Sequence, residues 1–410
     1  MTPTAPLSSN PELDSSDLCA EELLAGQASL MLGTLRPPRI MVRGSGSYLW
    51  DHSGVRYLDF IQGWAVNALG HAPPEVVSTL AEQGAALIHA SPAFHNAPQL
   101  RFARELTSAA GLLQVHFANS GAEANEAALK LARKWGRLHR GGAFEVISTE
   151  NSFHGRTLSL MAASGKPGWE ALFPPNMPGF TKVPFGDVAA VRERIGSRTV
   201  AVLVEPIQGE GGVVVPPEGY LRELRRLCDE HELLLICDEV QTGIGRTGTL
   251  FAFQHEGVVP DILTLGKGLG GGVPISAVLA NRRASCFVAG DQGGTYNGNP
   301  LMVAVAKRVF DVVSRPAFLA RVRAAGSYLE RRLSGACARH GLALRGRGLL
   351  WALVLPRDTA ERVVEACFDA GLLLNAPRPH LLRLMPSLRV SDEEIDEMAA
   401  ILEQVLRDRL

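Results

Sequence analysis

Apolar residues along this chain fall in short runs, bounded by glycine, proline or polar residues and separated by stretches of helical period. The runs predict strands at Gln114–Ala118, Ala143–Ser148, Val200–Val204, Leu233–Cys237 and Ile262–Leu265. The helical period predicts helices over Pro74–Ala85, Pro98–Ala109 and Ala122–Gly136. Strands that are apolar throughout and alternate with helices belong to a mainly parallel sheet covered on both faces, an α/β architecture. Before it, Ile40–Leu58 predicts two strands around a turn at Asp51–Gly54. After Asn299-Pro300 come two helices, Leu301–Val313 and Ala317–His340, and strand-like pieces at Leu342–Leu355 and Leu381–Leu384. A last helix starts at Ser391, where Glu394 completes a capping box. The expected division is 1–59 for an N-terminal arm and part of a small domain, 60–305 for a large domain, and 306–410 for the rest of the small one. The arm, residues 1–37, is polar and Pro-rich with one amphipathic piece, Ala20–Met31.

Composition narrows the class of partner. The 410 residues carry 41 basic and 42 acidic side chains, a balance that argues against a nucleic-acid binder. Six cysteines, Cys19, Cys228, Cys237, Cys286, Cys337 and Cys367, lie far apart without a C-x-x-C, so buried reduced thiols are expected. The N-terminus lacks a basic start, and no run of about 18 apolar residues occurs, so no secretory signal and no membrane helix are expected. The expected location is the cytoplasm.

Searches for a phosphate-binding P-loop, an H-E-x-x-H zinc site and a G-x-S-x-G nucleophile elbow find nothing. Gly243, Gly245 and Gly248 do match G-x-G-x-x-G after a strand, but Thr249–His255 is a poor helix start, so a nicotinamide site is disfavoured. Of the six lysines only Lys267 follows an apolar run and is enclosed by glycines, Gly266, Gly268 and Gly270–Gly272. A lysine at such a strand end can lose its proton when desolvated and form a Schiff base. Asp238 ends another apolar run, where an acid needs a cation or strong donor. Asn119–Glu126 is a glycine-containing turn opening a helix, whose free N–H groups suit a phosphate. Singly, these read equally as a loop lysine, a satisfied buried acid and a helix cap. Together they are what pyridoxal phosphate requires.

At these residues the chain resembles the class III (ω-amino-acid) aminotransferases of the aspartate-aminotransferase-like fold, fold type I, and in particular the acetylornithine aminotransferase branch. The resemblance runs from about Pro37 to Leu406 through FANSGAEANEAALKLARKWG, NSFHGRTL, VEPIQGEGGV, LLLICDEVQTGIGRTG, PDILTLGKGLGGGVPISAVLA, TYNGNP and LLRLMPSL. It implies a pyridoxal-phosphate transaminase that takes an amino group from an ω-amino donor and gives it to 2-oxoglutarate. It implies that Lys267 carries the cofactor and moves the proton, and that Asp238 keeps the ring nitrogen protonated. Gln241 would face the phenolic oxygen, Phe153 would stack on the ring, and Ser120, Gly121 and Ala122 would hold the phosphate. Thr295 would reach the phosphate of a neighbouring subunit, making a homodimer. Arg156 would anchor the donor carboxylate, and Arg383 would bind the α-carboxylate of glutamate, with Glu205 as its partner when an ω-amine is bound.

Four positions depart from the family pattern. Gly294 replaces a hydroxyl residue near the substrate, Asn297 a glycine, Trp64 a smaller aliphatic and Thr34 a tyrosine. The bulk of Trp64 is expected to reshape the donor pocket. Ornithine, succinylornithine, 4-aminobutyrate or another ω-amino acid are alternative donors, and a same-fold aminomutase, a nicotinamide oxidoreductase and a silent scaffold are alternative functions. A requirement for 2-oxoglutarate separates the first two classes, bound nicotinamide would mark the third, and the intact Lys267 and Asp238 oppose the fourth.

Overall fold

The computed structural model describes residues 20–31, 33 and 36–409. Cys19, Thr34 and most of the N-terminal arm lie outside the described residues. The large sheet has seven strands. Gln114–Ala118 forms one edge, followed by Ser276–Ala280, Ile262–Leu265, Leu234–Asp238, Thr199–Val204, Glu145–Thr149 and, at the other edge, Phe180–Val183. Only Ser276–Ala280 runs against its neighbours; the other pairings are parallel. Every residue of the Thr199–Val204, Leu234–Asp238 and Ile262–Leu265 strands is buried, as continuous apolar runs under two helical layers require.

The helix Gly121–His139 lies on this sheet through Ala124, Ala127, Ala128, Leu131, Ala132 and Trp135. Small residues bring it close: a Cβ at Gly136 would stand 2.0 Å from the Ala143 carbonyl oxygen. Two strands escape the sequence pattern. Phe180–Val183 is a short edge strand with three half-buried residues, and Ser276–Ala280 is built largely of small residues that carry little strand signal.

The N-terminal region contains three strands rather than two. Met41–Ser45 and Tyr48–Asp51 form a hairpin turned at Gly46, which adopts φ 57°, and Arg56–Asp59 follows. Leu372–Leu373 pairs in parallel with Arg56–Asp59, so residues from both ends of the chain share one sheet. A third sheet orders Ala343–Arg347, Leu350–Val354, Leu381–Leu384 and Asn375–Arg378. The capping box of the final helix is present, with Ser391 N–H donating to Glu394 Oε2 (2.9 Å) and Glu394 N–H to Ser391 Oγ (3.2 Å).

Gln62, Gly63, Trp64 and Ala65 all have positive φ, between 47° and 66°. Three of the four are not glycine, so the turn is strained and needs external support. Asp59 supplies it: Oδ1 accepts from the Ile61 and Gln62 N–H groups, and Oδ2 meets His71 Nε2 at 2.8 Å. Of the cysteines, Cys228, Cys237, Cys337 and Cys367 are buried and unpaired, while Cys286 is half-buried. No helix among the described residues is long and apolar enough to cross a membrane.

Candidate active site

The residues with chemical potential lie where the parallel strands end, the side on which open α/β sheets bind ligands. Gly121, Ala122, Phe153, Arg156, Glu205, Asp238, Gln241 and Lys267 line one cavity of about 270 Å³, joined by Asn125, His154, Glu210 and Thr242. A larger hollow of about 570 Å³ lies between Arg104, His116 and Phe287, but no comparable group of ionisable side chains converges there. Its place at the strand ends, not its size, picks out the site.

Asp238 is buried and held from several sides. Its Oδ2 accepts from Asn125 Nδ2 and His154 Nδ1, both at 2.8 Å, and its Oδ1 accepts from Val240 N–H at 3.0 Å. The Thr264 hydroxyl donates to Asn125 Oδ1 at 2.7 Å and stands 3.4 Å from Asp238 Oδ1. Its single proton is therefore committed to Asn125, leaving acceptor capacity on Asp238 Oδ1. Nothing in sequence spacing marked Asn125, His154 or Thr264 for this task; the only hint was polarity on otherwise buried faces.

Lys267 adopts φ 44° at the end of Ile262–Leu265. Burial lowers the pKa of its ammonium; Glu210 opposes this and Arg383 adds to it. A lysine poised this way has more of its amine unprotonated near neutral pH than a solvated one, and the free amine is the form that attacks a carbonyl or takes up a proton.

Glu205 and Arg383 are not partners. Glu205 Oε1 accepts from Phe153 N–H and Oε2 from Gly209 N–H, each at 2.9 Å. Arg383, fully buried, bonds Glu210 through Nη2 at 2.6 Å and Asn375 Oδ1 through Nε and Nη2 at 2.9 and 2.7 Å. The partner of Arg383 is therefore the second glutamate of VEPIQGEGGV, Glu210, and not Glu205, which the resemblance was taken to imply. Glu210 sits among Gly209, Gly211 and Gly212, whose pliant backbone lets it turn back onto Arg383.

Burial pushes Glu205 up to about 7, helped by Asp238 and opposed by His154 and the two N–H donors. Because the folded pKa lies above the ordinary 4.5, the folded chain binds more protons between the two values, so this group's contribution to stability falls as pH rises through that window. Thermal melts of the wild type and Glu205→Gln from about pH 5 to about pH 8 should show the wild type losing ground to the variant. A difference independent of pH would contradict this.

Phe153 lies edge-on to Trp169, and the Arg156 guanidinium stands 5.9 Å and 5.4 Å from the two ring centres. The Ser120 side chain caps the Gly121–His139 helix in a reciprocal box with Glu123. Gly294 and Thr295 are exposed and lie outside the cavity lining. Trp64, 48% exposed, also lies outside it, so its expected intrusion on the pocket is not found within this chain. The G-x-G-x-x-G segment opens no helix. Instead Gly245 packs against Val313 and Leu388, and Gly248 against Arg323, which removes the basis for a nicotinamide site.

The sequence pattern of the family described as Aminotransferase class-III matches residues 33–406. Acetylornithine aminotransferase 2 of Bordetella bronchiseptica is 53% identical over 381 residues, covering 92% of this chain and 96% of that protein. Among solved structures, ornithine aminotransferase from Toxoplasma gondii, described with partial occupancy of PLP at its active site, superposes with TM-score 0.89 at 34% identity, covering 95% and 94% of the two chains. Acetylornithine aminotransferase from Elizabethkingia anophelis gives TM-score 0.85 at 37% identity, covering 95% and 99%. With its strand-end lysine, its strand-end aspartate and this likeness along nearly its whole length, the chain belongs to the class III aminotransferases, whose cofactor is pyridoxal phosphate.

Proposed function

We propose that this aminotransferase moves the ω-amino group of N-acetylornithine, or a closely related acylated ω-amino acid, to 2-oxoglutarate, yielding an aldehyde and glutamate. The names of its relatives support the donor. The observation that carries the dual-substrate reading is the pair formed by buried Arg383 and half-buried Glu210, electrostatically coupled to Lys267.

The residues present fit pyridoxal phosphate. Asp238 keeps a free acceptor position, buried Gln241 Nε2 has no partner, and the Gly121–Ala122 helix start borders the cavity. A Cβ at Gly121 would stand 2.8 Å from Val240 Cγ1, so only glycine lets the chain pass there without a shift. When bound, the cofactor draws electrons from the amine-bearing carbon of the substrate. Asp238 would hold the proton on the ring nitrogen, Gln241 would donate toward the phenolic oxygen, Phe153 would lie beside the ring, and the N–H groups of Gly121 and Ala122 would receive the phosphate at the Ser120-capped helix. Lys267 would carry the cofactor and would then move the proton at the reacting carbon.

Arg156 grips the donor's carboxylate. With an ω-amine bound, Glu210 keeps Arg383 neutralised, because an unpaired buried guanidinium is strongly destabilising. Glutamate brings its own α-carboxylate and displaces Glu210. Exposed Thr295 and Gly294 serve the site of a second copy, which makes the working unit a homodimer.

The test is a split in kinetic constants. Arg383→Ala should raise KM for glutamate by about tenfold or more and leave the donor's KM nearly unchanged, while Glu210→Ala should weaken the donor reaction and spare glutamate. Equal effects on both substrates would refute the pair's role. Comparable kcat/KM for ornithine or 4-aminobutyrate would displace the acylated donor, and product formation without 2-oxoglutarate would point to an aminomutase.

A further inference from the structure

We propose that Asn297 is a positioning residue, a latch that seats the Gly294–Thr295 loop on the start of the phosphate-binding helix. The inference rests on reading Gly121 and Ala122 as the phosphate cradle. Asn297 Oδ1 accepts from Asn119 Nδ2 at 2.9 Å, and Asn297 Nδ2 lies 3.0 Å from His116 Nε2. The second hydrogen of Asn119 Nδ2 goes to Glu123 Oε1 at 3.1 Å, and Glu123 Oε2 accepts from the N–H groups of Asn119 and Ser120 at 2.9 and 2.7 Å. One continuous chain of hydrogen bonds therefore joins the loop to the helix cap beside Gly121.

The protonation states suit it. Burial pushes the His116 imidazolium below its ordinary pKa, with Lys130 adding and Glu123 opposing, so a neutral Nε2 accepts from the amide. Burial raises the Glu123 carboxyl, but hydrogen bonds from Asn119 and Ser120 outweigh it and keep the acceptor ionised.

Two departures in this loop become one device. A Cβ at residue 294 would stand 2.7 Å from Asn297 Oδ1 and 2.8 Å from its Cγ and Nδ2. Gly294 does not have a left-handed φ, so its backbone would accept a side chain; the Asn297 amide alone occupies the space. The missing side chain at 294 is the room in which the latch sits. Behind it, Asn96 Nδ2 holds the Gly298 carbonyl at 3.0 Å, and ahead of it Lys130 Nζ donates to the Asp291 carbonyl at 2.6 Å; between these anchors Asn297 ties the exposed residues to the helix start.

Reconstituting the cofactor-free full chain with pyridoxal phosphate and measuring Kd by absorbance tests this without relying on turnover. Asn297→Ala should weaken binding by about fivefold to tenfold, the worth of two hydrogen bonds. Gly294→Ser should weaken it comparably by expelling the amide, and the double variant should bind no worse than Asn297→Ala alone. Wild-type affinity in Asn297→Ala, or penalties that multiply in the double variant, would overturn the proposal. Inorganic phosphate should compete with the cofactor in the wild type; if it does not, the cradle reading fails instead. Amide exchange over 293–297 then judges the latch alone, faster exchange in Asn297→Ala supporting it and unchanged exchange overturning it.

Discussion

Lys267→Ala is expected to lower turnover by roughly 10⁴-fold or more while the chain stays folded. The side chain borders the cavity, and burial already disfavours its charge, so truncation removes chemistry rather than a stabilising contact. Arg383 stays paired with Glu210, so that carboxylate keeps its partner after the change. Alanine tolerates the φ of 44° no worse than lysine does, so the local strain is unaltered. Circular dichroism and thermal melting of the cofactor-free variant should match those of the cofactor-free wild type. Turnover within tenfold of the wild type would remove Lys267 from the centre of the mechanism.

Asp238→Asn should cost about 10²–10³-fold in kcat, the scale of losing a preorganised charge in a buried site. Three close donors, from Asn125, His154 and Val240, converge on the two carboxylate oxygens. An amide nitrogen in place of either oxygen faces a donor, and the amide has no negative charge with which to hold a proton on the ring nitrogen. Because the proposed phosphate cradle at Gly121 and Ala122 and the proposed attachment at Lys267 do not depend on Asp238, the cofactor should remain bound, which absorbance checks. Unchanged kcat would contradict the role given to Asp238.

Much of this site was legible in the sequence because its parts lie at strand ends, where apolar runs stop abruptly. Asp238 closes Leu234–Asp238, and Lys267 follows Ile262–Leu265 by two residues. The helix after Ser120 was visible from its polar start and small apolar stripe, although its end lies at His139 rather than Gly136. The Gly46 hairpin was hidden because MVRGSGSYLW alternates as a single strand would, and only the positive φ of Gly46 reveals the turn.

Partnerships across the fold were not legible. Glu210 reaches Arg383 across 173 positions by virtue of a glycine-rich turn, and no local pattern distinguishes it from Glu205. His154 and Asn125 meet Asp238 from different segments, so their roles exist only once the sheet is assembled. Gly294 and Asn297 looked like two unrelated departures in sequence; in three dimensions the Asn297 amide occupies the space a Cβ at 294 would need.

The most direct test of the account is the near-visible absorption spectrum of the purified protein before and after glutamate. A bound-cofactor band should disappear on mixing with glutamate as a shorter-wavelength pyridoxamine band rises, and should return when 2-oxoglutarate is added. A cofactor band unmoved by glutamate would contradict the glutamate half-reaction, and the absence of any band after reconstitution with pyridoxal phosphate would contradict the assignment of Lys267 itself.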